Sequence, residues 1–365
     1  MSDVTAEKIQ AALADARVPH LDETLASAGV PVDVEVSGTT ASIMVTLGFP
    51  AAGIAEAYAR ELQDMAVSST GVEKATVGVT WDVKAHAVQG ALAPLENVKN
   101  IIAIASGKGG VGKSTTAVNL ALALVREGAR VGVLDADVYG PSQPRMLGIS
   151  GQRVASSDGK TMQPLEAHGV QTISMGFLVD EDKQMIWRGP MVTQAVNQLI
   201  FQTNWDNLDY LIVDLPPGTG DTQLTLTQSV PLSGAIIITT PQDIALLDAL
   251  KGLKMFETVN VPILGVIENM SSHVCSACGH EEHLFGKGGG ERLARDNEVP
   301  LLGQLPLHID IRRQADGGEP TVAVDPEGHV AMRYRDIART AAAILSLRAR
   351  DRKAAFPRVV VEPTQ

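Results

Sequence analysis

Residues 101–120 read IIAIASGKGGVGKSTTAVNL: a short apolar run, glycines at 107, 109, 110 and 112, then a stretch of helix formers. The run IIAIAS has the length and apolarity of a buried strand, whereas STTAVNLALALVREG has a helical pattern that stops at Gly128. The glycines therefore fall in a strand-to-helix turn. They satisfy the phosphate-loop pattern G-x-x-x-x-G-K-[ST] through Gly107, Gly112, Lys113 and Ser114. In that context successive backbone N–H groups turn inward on phosphate oxygens, and the helix start adds partial positive charge. Lys113 then reaches the β and γ phosphates of a nucleotide, and the Ser114 hydroxyl ligates Mg²⁺. The nucleotide-binding set is Gly107, Lys108, Gly109, Gly110, Val111, Gly112, Lys113, Ser114 and Thr115. The general pattern has no place for the second lysine, Lys108.

Further apolar runs follow: VGVLDAD, YLIVDLP, GAIIITT, VPILGVIEN and LLGQLP. Continuous apolar strands alternating with helical patterns predict an α/β fold, a mostly parallel sheet covered by helices on both faces. Ahead of it, a helical pattern at 5–16, alternation over 32–47, a helix at 51–67 and a strand at 75–81 predict a small α+β unit. The expected organisation is a small α+β domain over 1–90, a linker over 91–99, a P-loop ATPase domain over 100–348 and a tail over 349–365. A helix pattern, AMRYRDIARTAAAILSLRAR, opens at 331.

A nucleotide site of this kind also needs carboxylates at neighbouring strand ends. Asp135 and Asp137 end VGVLDAD, and Asp214 follows four apolar or aromatic residues in YLIVD. Asp214 suits the role of holding Mg²⁺ through water. The PPGTGD after it, with Gly218 and Gly220, suits a switch that reads the γ-phosphate.

The charge balance, 30 basic against 42 acidic residues for a net −12, argues against broad attraction to nucleic acid or to an anionic membrane. No apolar run approaches the length of a membrane span, and the N-terminus lacks the pattern of a secretory or mitochondrial leader, so a cytoplasmic location is expected. Cys275 and Cys278 are the two cysteines. Two are too few for a disulfide framework, and their spacing points to metal or redox chemistry.

The combination GKGGVGKST, DADVYGPSQP and VDLPPGTGD resembles the deviant Walker A ATPases, the class of MinD, ParA and the nitrogenase iron protein. That resemblance implies that Lys108 crosses a homodimer interface to the phosphates held by the partner subunit, acting like an arginine finger in trans. It also implies that Asp137 orients the attacking water and that Asn269 reads adenine. Lys108, Lys113 and Asp137 are then the catalytic candidates for a slow, dimer-dependent ATP hydrolysis.

The segments WRGPMV (187–192), PPGTGD (216–221), ENMSSHVCSACGHEEHLFGKGGGERLA (268–294) and LLGQLPLHIDIRRQADGGEP (301–320) are similar to the Mrp/ApbC family of iron–sulfur cluster carriers. The resemblance covers most of 98–345 and implies transfer of a cluster from an assembly scaffold to apo-proteins. It also implies that Pro306 packs near the adenine. Residues 1–90 resemble, more weakly, a small iron–sulfur assembly domain, though they contain no cysteine.

A 4Fe-4S cluster takes four thiolates, and one chain offers two, so two Cys-x-x-Cys pairs meeting across a twofold axis would complete one site. Neighbouring His273, His280 and His283 keep zinc open as a rival, as does a dimeric Cys₄ zinc site. The family resemblance favours the cluster. A rival from another functional class is a positioning ATPase of the MinD or ParA type, or a nucleotide switch with structural zinc. Residues 333–358 offer such a protein eight basic residues against two acids, which more often form a solvated face than a membrane anchor. Trp187 reads as packing, and Arg188 either as a contact to a phosphate or a partner carboxylate or as a structural ion pair. FGKGGGERLA at 285–294 reads as a flexible loop, not a second nucleotide site.

Overall fold

A computed structural model of the chain describes residues 5–89, 92–156, 158–179, 189–275 and 277–348. Trp187, Arg188 and the expected tail lie outside them. The N-terminal unit comprises α1 (Ala6–Leu13), β1 (Val32–Ser37), β2 (Thr40–Leu47), α2 (Ala55–Thr70) and β3 (Lys74–Trp81). The alternation over 32–47 divides into two antiparallel strands, because Gly38 turns the chain at positive φ between Ser37 and Thr40. Ala41, Ile43, Val45 and Leu47 of β2 point into the core, and β3 runs parallel to β2. The helix expected at 51–67 begins at Ala55 and ends at Gly71, which caps it in the left-handed conformation.

The second unit follows as β4 (Val98–Ser106), α3 (Lys113–Arg126), β5 (Val131–Asp135), α4 (Gln143–Met146), β6 (Leu165–Ala167), β7 (Val170–Ser174), α5 (Gly189–Phe201) and β8 (Leu208–Asp214). It continues with α6 (Asp221–Ser229), β9 (Gly234–Thr239), α7 (Asp243–Thr258), β10 (Ile263–Glu268), β11 (His273–Val274), β12 (Glu281–Glu282), α8 (Gly289–Asp296), β13 (Leu301–Gln304), α9 (Ile309–Asp316), α10 (Thr321–Val324) and α11 (His329–Ser346). The large sheet has the order β13-β10-β9-β4-β8-β5-β7-β6. Each neighbouring pair is parallel except β6 with β7, an antiparallel edge pair that the sequence pattern did not reveal. Every residue of β5, β8, β9 and β10 is buried, as a sheet covered on both faces requires. The phosphate-loop strand β4 lies between β8 and β9, so the ends of β5, β8, β9 and β10 surround the loop.

β4 begins at Val98, inside the stretch read as a linker. The chain before it is packed rather than loose: His86 Nδ1 lies 2.8 Å from Asn100 Oδ1, and Gln89 Nε2 donates to the carbonyls of Thr227 and Val230 at 2.7 and 2.6 Å. The N-terminal unit and the second unit share one hydrophobic core, in which Phe49 and Leu62 belong to the same cluster as Leu120 and Tyr334. At that junction Glu127, just past the end of α3, accepts hydrogen bonds from Gly53 N–H at 2.8 Å, Arg335 Nε at 2.8 Å and Arg339 Nη2 at 2.7 Å. Two cations that the positioning-ATPase reading would offer to a membrane are thus neutralised inside the protein. The small residues Ala341, Ala342 and Ala343 let α11 bury its apolar face in that core.

The segment 285–294 is not wholly a loop. From Gly289 it forms α8, because Gly290 N–H donates to the buried Glu268 carboxylate and Gly289 approaches Pro241 too closely for any side chain. Glycine here buys helix-to-strand proximity instead of flexibility.

Candidate functional site

Two glycines of the phosphate loop have specific geometric reasons. A side chain at Gly107 would collide with the backbone of Asp248 in α7. Gly112 has φ 82° and faces the Asn269 amide, so both conformation and space require glycine. Gly110 also has positive φ, while Gly109 and Gly110 are exposed and Val111 is buried. Ser114 and Thr115 lie in the first turn of α3.

Lys113 is nearly buried and forms an ion pair with the wholly buried Asp214 carboxylate at the end of β8. Its Nζ also lies 3.3 Å from Ser114 Oγ. The structure therefore brings Lys113, Ser114 and Asp214 into one cluster. Gln143, at the start of α4, joins them: Nε2 donates to Asp214 Oδ2 at 2.9 Å and to the Ser114 carbonyl at 3.1 Å. The sequence reading did not single out Gln143, although it lies within the segment DADVYGPSQP.

Asp135 acts on the loop that carries Asp137. Its carboxylate accepts from the N–H groups of Asp137, Ser142 and Gln143 at 3.2, 3.0 and 3.1 Å and from Ser174 Oγ at 3.2 Å. Burial, and then the neighbouring Asp214 charge, push the Asp135 carboxyl up to about 7. Asp137 is half-buried, and burial foremost, with Asp214 adding to it, raises its pKa as well. The segment after β8 is tied to the loop by Gly218 N–H donating to the Ser106 carbonyl at 3.0 Å.

Lys108 is half-buried and its Nζ lies 3.4 Å from Gln242 Oε1 of the same chain. Beside Gln242, the first turns of α7 expose Ile244 at 71% and Leu247 at 61%, an apolar face next to the lysine that the general loop pattern leaves without a task.

Asn269 follows β10 directly. Its Nδ2 donates to the Val111 carbonyl in the phosphate loop at 2.8 Å, and its Oδ1 accepts from Met270 N–H at 2.9 Å. The same segment continues into the hairpin β11–β12 that carries the cysteines. His283 Nδ1 lies 2.6 Å from the Ser271 carbonyl, His273 Nδ1 lies 3.1 Å from the Leu307 carbonyl, and Leu307 N–H donates to the Ser272 carbonyl at 2.7 Å. Five residues thus separate the asparagine that holds the phosphate loop from the first cysteine.

Cys275 is partly exposed, Cys278 is exposed, and both are free thiols. The turn between them closes through Gly279 N–H to the Cys275 carbonyl at 2.8 Å and Cys275 N–H to the His280 carbonyl at 2.9 Å. Hydrogen bonds from the N–H groups of Ala277 and Cys278, then from the Cys278 side chain, lower the Cys275 pKa and favour its thiolate. Among the described residues no group of three or more His, Cys, Asp or Glu side chains could hold a metal ion. The described histidines therefore do not complete a site around Cys275 and Cys278 within one chain. Pro306 is buried and lines a cavity of about 530 Å³ whose walls include Ser272, Val274, His308, Gln314 and Arg333.

Comparison with known proteins accords with this geometry. A family described as the NUBPL iron-transfer P-loop NTPases, within the ParA group, matches residues 97–342, and one described as iron–sulfur cluster assembly proteins matches residues 6–79. An iron–sulfur cluster carrier protein of Pseudomonas fragi is 58% identical over 76% of this chain and 97% of its own length. One from Synechocystis is 45% identical over 95% of this chain and 99% of its own. The mouse iron–sulfur cluster transfer protein NUBPL is 51% identical over 67% of this chain and 77% of its own. Among solved structures, a nucleotide-binding protein from Archaeoglobus fulgidus in complex with ADP is 33% identical with a TM-score of 0.56, covering 65% of this chain and 92% of that one. The cell-division ATPase MinD of Pyrococcus furiosus, 22% identical with a TM-score of 0.50 over 66% of this chain and 97% of its own, shares the fold.

Proposed function

Because the chain belongs to the NUBPL family of iron-transfer P-loop NTPases, we propose that it is an ATP-binding and ATP-hydrolysing carrier of an iron–sulfur cluster. The cluster is its cargo, bridged as 4Fe-4S between the Cys275 and Cys278 pairs of a homodimer, taken from an assembly scaffold and passed to apo-proteins in the cytoplasm. One observation carries the reading: the exposed cysteine hairpin hangs from the strand end whose Asn269 holds the phosphate loop. A change at the phosphates therefore has a short mechanical route to the cargo.

In this reading Lys113 exchanges its Asp214 partner for the β and γ phosphates of ATP, and Asn269 and Pro306 receive the base. Lys108, beside the exposed Ile244 and Leu247, reaches the nucleotide of the partner subunit as those apolar side chains are covered. Asp137 orients the attacking water. The oxygen donors around Lys113 fit Mg²⁺, a hard cation: Ser114 Oγ and the buried Asp214 carboxylate are of the right chemistry, and the buried Oε1 of Gln143 lacks a partner. Ser114 and Asp214 would hold the ion, which supplies charge neutralisation on the phosphates.

Cluster transfer to an apo-ferredoxin, followed by circular dichroism, tests the reading. ATP is expected to change the transfer rate of the wild type and to leave that of Lys113→Ala unchanged. Equal ATP responses in the two proteins would sink the nucleotide-gated carrier.

A further inference from the structure

Gln143 is a wholly buried polar side chain in contact with the nucleotide site, and the phosphate-loop pattern does not account for it. Its amide has a single workable orientation. Asp214 Oδ2 and the Ser114 carbonyl, at 2.9 and 3.1 Å, are both acceptors when Asp214 is ionised, so the NH₂ group must face them and both of its protons are used. That orientation leaves Oε1 buried and without a hydrogen-bond partner, and the hydroxyl of the adjacent Ser142 is likewise buried and unpartnered. The backbone that carries the residue is held in place, since the N–H groups of Ser142 and Gln143 donate to Asp135 Oδ2 at 3.0 and 3.1 Å.

A buried acceptor without a donor is costly, and proteins seldom keep one that has no water or ligand to serve. Here the unpaired oxygen belongs to a group that already grips both a carboxylate suited to Mg²⁺ and the backbone of the serine suited to ligate it. We propose that Gln143 is a magnesium-positioning residue: its NH₂ group fixes Asp214 and the start of α3, while Oε1 accepts a hydrogen bond from a water in the Mg²⁺ hydration shell. The ion keeps several of its waters when bound beside phosphates, so an outer-shell acceptor contributes to affinity without touching the metal. This rests on the reading of the loop as a magnesium–nucleotide site.

The test is fluorescence titration of the full chain with a mant-labelled ADP, with and without Mg²⁺, for the wild type, Gln143→Met and Gln143→Glu. Methionine keeps the volume and removes both donor and acceptor, whereas glutamate keeps an acceptor but replaces the NH₂ donor with an oxygen that meets the buried Asp214 carboxylate. The ratio of affinities with and without Mg²⁺ is expected to fall about tenfold in the methionine variant, the scale of one hydrogen bond in a charged setting, and to rise with glutamate, whose added charge beside Asp214 the cation relieves. Equal losses with and without Mg²⁺ in both variants would make Gln143 a plain structural brace and overturn the assignment. A wild type that binds the nucleotide with no Mg²⁺ dependence would overturn the underlying magnesium site together with it, whereas a dependence unaltered by Gln143→Met overturns this assignment alone.

Discussion

Replacing Glu127 by glutamine is expected to destabilise the protein by about 3 kcal/mol. The carboxylate is wholly buried and meets Arg335 Nε at 2.8 Å, Arg339 Nη2 at 2.7 Å and Gly53 N–H at 2.8 Å. Removing one member of a buried charge set costs about 3–5 kcal/mol, because the remaining charges stay buried without compensation. The lower end applies here: Arg335 keeps Glu327 at 2.6 Å and Arg339 keeps Asp336 at 2.9 Å, both exposed acids. The same contacts set a pH dependence. Burial works to raise the Glu127 pKa, but hydrogen bonds from Arg339, Arg335 and Gly53 outweigh it, and the net direction is downward. A carboxylate lowered in the folded state contributes stability that is full above its unfolded pKa, about 4.3, and is lost as pH falls through the folded value. Urea unfolding followed by far-ultraviolet circular dichroism should show the full difference near neutral pH and a shrinking one below about pH 4. Since the two units share a core, both proteins should unfold in one transition. A neutral-pH difference under about 1 kcal/mol, or one that persists unchanged in acid, would refute the reasoning.

Lys108→Ala should lower ATP hydrolysis by about 10³-fold or more while leaving the Lys113 site of its own chain intact. Mixing it with Lys113→Ala should restore part of the rate, since the second variant supplies Lys108 in trans; no recovery on mixing contradicts a role across the interface. Asp137→Asn should abolish hydrolysis while nucleotide still binds. Because burial raises the Asp137 pKa, the wild-type rate should fall on acidification at a pH above the ordinary carboxylate range, and a rate that stays flat through that range counts against Asp137 as the water-orienting group.

The sheet and the strand-to-helix turn that carries the glycine-rich loop were legible because their signals are local. A strand-turn-helix loop needs its glycines in one run, and buried parallel strands need continuous apolar residues, so β4, β5, β8, β9 and β10 and the carboxylates at their ends stand out in one dimension. The contacts that were missed join residues far apart in sequence. Gln143 meets Asp214 across 71 positions, and Glu127 meets Arg339 across 212. No period or spacing encodes such pairs. The glycines at 288–290 read as flexibility because composition alone cannot separate a loose loop from a helix start pressed against Pro241 and Glu268. The short β6–β7 pair was hidden for a related reason: an edge strand of three residues is too brief to establish an alternation.

The account stands most directly on what the cysteines hold. Iron, acid-labile sulfide and zinc should be measured after anaerobic reconstitution of the wild type and of the Cys275→Ser, Cys278→Ser double variant, with the mass of each species in solution. The account predicts about four irons and four sulfides per two wild-type chains, in a dimer, and none in the variant. Wild-type protein that takes up no iron, or that carries stoichiometric zinc in its place, would contradict it.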